Sequence, residues 1–164
     1  LELYLIRHAW AEERDADRFP DDTLRPLTEA GSMRFEQMCG LLVDRAMKPR
    51  RIVSSPLVRC RQTAEMVAAA LPHQASIVLR EELMPGGDFK MLLAWLEEHC
   101  PAKSSVACVG HAPDLGYLAA SLIGQENGWL RLGKGSVAAI RFKGAPEFGA
   151  GELRWLVSAK ILGV

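Results

Sequence analysis

Short apolar runs of strand length alternate with segments of helical period along most of this chain, and no other feature restricts its fold as much. Residues 3–6 (Leu-Tyr-Leu-Ile), 51–54 (Arg-Ile-Val-Ser), 76–79 (Ser-Ile-Val-Leu) and 106–109 (Val-Ala-Cys-Val) read as strands. Between them, apolar residues recur at helical spacing, as in Phe35, Met38, Leu41 and Leu42. A chain that repeats strand, helix, strand builds parallel βαβ units and covers both faces of its sheet with helices.

Capping residues place the helix boundaries. Thr28 reads as the N-cap of a first helix that ends near Pro49, with Glu29 favourable in its first turn. Ser55 reads as the cap of a second, with Pro56 at its first position and Arg59, Thr63, Val67 and Leu71 along one side. Asp88 caps a third helix after the Pro85-Gly86-Gly87 turn, and a fourth follows Pro113 with Leu115, Leu118, Ala119 and Leu122 on its apolar face. Residues 136–142 and 153–157 are strand-like with no helix between them, which predicts a terminal hairpin. The expected architecture is therefore α/β: a three-layer sandwich with a mostly parallel mixed sheet flanked by helices, in one domain over residues 1–164.

Composition narrows the function. The 20 Lys and Arg are balanced by 20 Asp and Glu, interspersed along the chain, so no basic stripe is available and no nucleic-acid partner is expected. With 49% hydrophobic and 24% charged residues the chain can bury a core, which excludes disorder. No apolar run reaches the roughly 18 residues of a membrane span. The opening apolar run meets Arg7 too early for a signal-peptide core, so a cytoplasmic protein without a membrane partner is expected. Four cysteines, Cys39, Cys60, Cys100 and Cys108, form no C-x-x-C pair, which predicts free thiols rather than disulfides or a zinc site.

In open α/β sheets, ligands collect outside the carboxyl ends of the strands. There the first strand ends in Arg7-His8, the second leads to Arg59, and the fourth ends in Gly110-His111. Two histidines could hold a metal, but guanidinium groups stay charged and would repel a divalent cation placed between them, so no metal and no cofactor are expected. Arginine forks match phosphate, and helix N-termini near Pro56 and Pro113 add donors and positive dipole ends. A phosphate with a nucleophile beside it is the natural occupant. Cys39, followed by five residues and then Arg45, imitates a cysteine-phosphatase pattern, yet the interval falls within the first helix and cannot form a phosphate-cradling loop. Cys60, between Arg59 and Arg61, is expected to pack, and His73 and His99 to lie at the surface.

At this point the chain resembles the histidine phosphatase superfamily, which includes the phosphoglycerate mutases. The carrying segments are Leu5-Ile6-Arg7-His8-Ala9, Arg25-Pro26-Leu27-Thr28-Glu29-Ala30-Gly31, Ser54-Ser55-Pro56-Leu57-Val58-Arg59-Cys60-Arg61-Gln62-Thr63-Ala64 and Val109-Gly110-His111, in the family's order. The stretch Glu82-Leu83-Met84-Pro85-Gly86-Gly87-Asp88 looks like that of the small SixA-type phosphohistidine phosphatases. The resemblance implies a phosphoglycerate mutase-like fold, and the short loop after Gly86 implies no lid domain. It implies His8 as the nucleophile, Arg7 and Arg59 as clamps on the phosphoryl oxygens, and His111 completing the pocket. Glu82 stands at the family's general-acid position, with Glu81 and the Asp22 loop as rivals, and Arg25 either lines the groove or makes a surface ion pair. Ala9 replaces the family's glycine, a change expected to be tolerated. The implied activity is that of a metal-independent phosphatase passing through a phosphohistidine intermediate. Its partner would be a phosphorylated protein, such as a histidine phosphotransfer domain, with a small phosphomonoester or non-catalytic phosphate recognition as alternatives.

Overall fold

A computed structural model describes residues 1–164. The first apolar run forms β1 (Glu2–Arg7), followed by β2 (Arg51–Ser54), β3 (Ser76–Leu79), β4 (Ser105–Gly110), β5 (Val137–Arg141) and β6 (Glu152–Val157). They make one six-stranded sheet in the order β3-β2-β4-β1-β5-β6. The first four strands are mutually parallel, with Leu5 opposite Cys108 and Val53 opposite both Cys108 and Val78. The terminal pair is antiparallel as expected, β5 lying against β1 and β6 against β5. The chain thus steps outward from β1 to β2 and β3 before β4 returns to lie between β2 and β1. This reversal parts the loops at the strands' carboxyl ends and leaves room for a ligand.

Side chains alternate across the sheet because the strand period is two. Tyr4, Ile6, Ala107, Val109, Val137 and Ala139 face one layer, where Phe35, Met38 and Leu42 of α1 (Glu29–Arg45) and Ala64 and Val67 of α2 (Val58–Ala70) meet them. Leu3, Leu5, Val106, Cys108, Ala138 and Ile140 face the other, against Leu92 and Leu96 of α3 (Phe89–His99) and Leu115, Leu118 and Leu122 of α4 (Asp114–Leu122). A fully buried Leu or Ile stabilises the fold by about 2 kcal/mol, so both layers anchor β1 and β4 firmly. A final turn of helix, α5 (Ala159–Leu162), closes against α1 and was not anticipated.

The caps of α1 and α3 are those expected: Thr28 accepts from the Gly31 amide at 2.9 Å, and Asp88 accepts from the amides of Lys90 and Met91. The start of α2 is not. It begins at Val58, with Leu57 as a cap that offers no side-chain bond, so neither Ser55 nor Pro56 has the position assigned to it. Ser55 Oγ reaches the Leu57 amide only at 3.4 Å because it is engaged elsewhere, as described below. All four cysteines are free and buried. No helix is long and apolar enough to cross a membrane.

Candidate active site

A cleft of about 540 Å³ opens at the carboxyl ends of β1 and β4, and Arg7, His8, Arg25, Arg59 and His111 all line it. Lys134 and Arg14 add positive charge, against Glu12, Glu13 and Asp114. The N-terminus of α4 points its positive dipole end at the same space through Pro113 and Asp114.

His8 is fixed by its backbone before its side chain is considered. Its amide donates to Gly110 O of β4 at 3.0 Å and its carbonyl accepts from the amide of Gly135, in the turn leading into β5, at 3.1 Å, so it is held on both sides. The ring Nδ1 lies 2.7 Å from Ala9 O, and since a carbonyl can only accept, Nδ1 carries the proton. In the neutral ring Nε2 then holds a free lone pair. Burial lowers the His8 pKa to about 4; the Ala9 hydrogen bond opposes this, and Arg59, Arg7 and Arg25 add to it. Burial therefore outweighs the neighbouring cations in keeping the ring neutral. Ala9 causes no strain: no residue other than glycine has positive φ, its side chain is buried in the core, and its amide donates to Thr63 Oγ1 at 3.1 Å.

The arginines are held by different means. Arg7 donates through Nη1 to Leu132 O at 2.9 Å. Arg59, 2% exposed, donates to Asp22 O at 2.8 Å and pairs with Asp22 Oδ2 at 3.1 Å. Arg25 reaches Asp22 Oδ1 at 2.8 Å and Glu12 O at 2.6 Å. Asp22, in a 3-10 turn over Asp22–Leu24, thus organises two cleft arginines at once. Its pKa is held below the usual carboxylate value by the hydrogen bond from Arg25, with Arg59 and Arg14 contributing, so it is a poor proton donor. The Nε atoms of Arg7 and Arg59 have no hydrogen-bond partner in the protein.

His111 stands across from His8, ring centroids 5.3 Å apart at an edge-on angle. Burial, reinforced by His8 and Arg59, lowers its pKa to about 3. Its Nε2 meets Ser55 Oγ at 3.0 Å and Cys60 Sγ at 3.4 Å. Burial pushes the Cys60 thiol up to about 12 despite Arg59, in keeping with a packed thiol.

Glu82 does not join the cleft. The 3-10 turn Glu81–Leu83 buries Leu83 in the core and leaves Glu82 paired with Arg80, whose Nε lies 3.0 Å from Glu82 Oε2. Glu81 is exposed, so the acid sought after the third strand is absent from the cleft lining. Trp10 lies under the Arg34 guanidinium. Sequence reasoning missed Ser55, read only as a cap, and the arginine-holding role of Asp22. The one signal for the latter was the three-residue spacing of Asp22 and Arg25. No group of three or more His, Cys, Asp or Glu is placed to hold a metal ion. What the cleft offers is an imidazole lone pair beside fixed guanidinium donors, an arrangement suited to receiving and attacking a phosphoryl group.

The model of the histidine phosphatase superfamily (branch 1) matches residues 3–92. An uncharacterized protein of Picosynechococcus sp. is 37% identical over 145 residues, covering 86% of this chain and 85% of that protein. Phosphohistidine phosphatase SixA of Escherichia coli K12 is 29% identical over 159 residues, covering 96% and 94%. The solved structure of the protein histidine phosphatase SixA complexed with tungstate superposes with a TM-score of 0.84 at 28% identity, covering 99% of each chain.

Proposed function

This chain belongs to the histidine phosphatase superfamily, and from that membership we propose that it removes the phosphoryl group from phosphohistidine displayed on a protein. His8 Nε2 attacks phosphorus in line with the scissile P–N bond. That bond breaks, the substrate imidazole leaves, and a new P–N bond forms on His8. Because Nδ1 keeps its proton, bonded to Ala9 O, the phosphorylated ring is an imidazolium and a good leaving group. Water then attacks phosphorus, the P–Nε2 bond breaks, and the neutral ring is restored as phosphate departs. Arg7, Arg25 and Arg59 bind the non-bridging oxygens throughout. A loose transition state needs positioning and charge, which these cations supply without a metal.

The observation that carries this reading is the Nδ1-tied His8 in a cleft lined by Arg7, Arg25 and Arg59. A phosphoimidazole leaving group can take its proton from solvent on the far nitrogen, so its departure makes no demand on a carboxylic acid in the cleft. The chain after Gly86 runs directly into α3 with no inserted lid, which leaves room for a side chain carried on a protein surface. The similarity to SixA points the same way.

The test is turnover on a phosphohistidine-bearing protein, on phosphohistidine itself and on sugar phosphates, together with trapping of labelled enzyme. Phosphohistidine protein is expected to be hydrolysed fastest, with acid-labile, base-stable label on the wild-type chain, none on His8→Ala, and no effect of chelator. Equal or greater turnover on sugar phosphates would instead assign the pocket to small phosphomonoesters.

A further inference from the structure

We propose that Ser55 is a positioning residue that fixes the tautomer of His111, making its Nδ1–H the donor presented to the phosphoryl group. The inference rests on the phosphotransfer reading above but concerns a residue outside the phosphate clamp. Ser55 is fully buried between the end of β2 and the start of α2, and its Oγ lies 3.0 Å from His111 Nε2. Its surroundings decide the direction of that bond. The Leu57 amide can only donate to Ser55 Oγ, at 3.4 Å. If His111 Nε2–H also donated to Ser55, the buried hydroxyl proton would be left with only the Cys60 sulfur, a weak acceptor, which is the costlier arrangement. With Ser55 as donor and Nε2 as acceptor, every group is satisfied.

Cys60 agrees with this direction. Its sulfur lies 3.4 Å from Nε2 and 3.7 Å from Gly110 O, so a protonated thiol also finds only acceptors. A protonated Nε2 would take the Ser55 oxygen as its acceptor and turn the Ser55 hydroxyl onto the Cys60 sulfur, a weak acceptor. With Nε2 accepting, the ring's one proton sits on Nδ1. That nitrogen makes no hydrogen bond within the protein and is not sealed from solvent, on a ring that lines the cleft. The two histidines are thereby set in opposite senses: His8 presents a lone pair to the cleft and His111 presents a donor. This division also accounts for the displaced start of α2, since a hydroxyl committed to His111 is not available to cap a helix.

The test reads the tautomer directly. Nitrogen-15 NMR of the free wild-type protein near neutral pH should show His111 protonated at Nδ1 and His8 likewise, each with a bare Nε2. In Ser55→Ala the His111 signal should shift toward the Nε2-protonated form, with a fall in kcat of about ten- to a hundredfold and little change in KM. Ser55→Thr, which keeps the hydroxyl, should retain the wild-type tautomer and most of the rate. Wild-type His111 protonated at Nε2, or an unchanged tautomer and kcat in Ser55→Ala, overturns the proposal. The wild-type spectrum decides the point without substrate, even if Ser55→Ala fails to fold. A chain that shows the expected tautomers but no phosphohydrolase activity would sink the functional reading and leave the Ser55 assignment standing.

Discussion

At the scale of single residues, the site works through burial. The pKa values of His8 and His111 are lowered to about 4 and about 3, chiefly by desolvation. As the proposed nucleophile, His8 is active when neutral, so the acid limb of kcat/KM should fall near pH 4 rather than near 6.5, which a pH–rate profile would measure. The same shifts carry a stability consequence. Between the unfolded and folded pKa values the unfolded chain binds more protons, so stability should decline as pH falls from about 6.5 toward 4. The His8 shift contributes on the order of 3 kcal/mol over that window. Urea unfolding across pH should show this slope, and His8→Ala should flatten it. Asp22 acts differently, since its charge holds Arg59 and Arg25 in place. Asp22→Asn should keep the fold but raise KM and lower kcat/KM by roughly tenfold, the worth of one charge-assisted bond, measurable on any phosphorylated substrate. If Asp22 were instead the proton donor, kcat would collapse with KM unchanged.

At the scale of elements, most of the framework was legible. The strand positions, the caps at Thr28 and Asp88 and the terminal antiparallel pair follow from period and capping chemistry, which are local. Where a side chain answers to a distant partner, local rules fail: Ser55 is committed to His111, far along the chain, and no spacing in the sequence reveals that choice. Glu82 instead pairs with its near neighbour Arg80, in competition with the family role expected of it. The Arg7, His8, Arg59 and His111 set was legible because each follows a strand, and the topology sends those strand ends to one place. The first turn of α1 bears directly on that place. The Thr28 amide donates to Trp10 O at 2.9 Å, and a Cβ on Gly31 would lie 2.4 Å from the same oxygen. Gly31→Ala should therefore displace the segment that follows His8, reducing both thermal stability and kcat. Thr28→Ala should cost about 1 kcal/mol of stability through the lost cap. Thermal melts and activity per folded molecule would separate the two.

For the molecule as a whole, neutrality conceals an uneven field. Net charge is zero, yet the cleft gathers Arg7, Arg14, Arg25, Arg59 and Lys134 against three carboxylates. Capture of an anionic substrate should weaken with salt while the chemical step does not. Raising ionic strength from about 0.01 to 0.15 M, which shortens the Debye length from about 30 to 8 Å, should raise KM and leave kcat nearly constant. The two walls of the cleft also differ in kind. His8 extends a central strand and is held on both sides, through its amide by β4 and through its carbonyl by the turn leading into β5. Asp22 and Arg25 lie on the long connection between β1 and α1, which folds on itself through the Ala11–Leu27 bridge and is tied to α2 by Arg59 and by Gln62, whose side chain accepts from the Leu27 amide. Amide protons at the nucleophile should thus exchange with solvent only when the entire domain opens, while those around Asp22 exchange through local breathing. On the proposed reading, the wall that carries His8 is an anvil, and the wall that carries Arg25 can adjust its hold without loosening it.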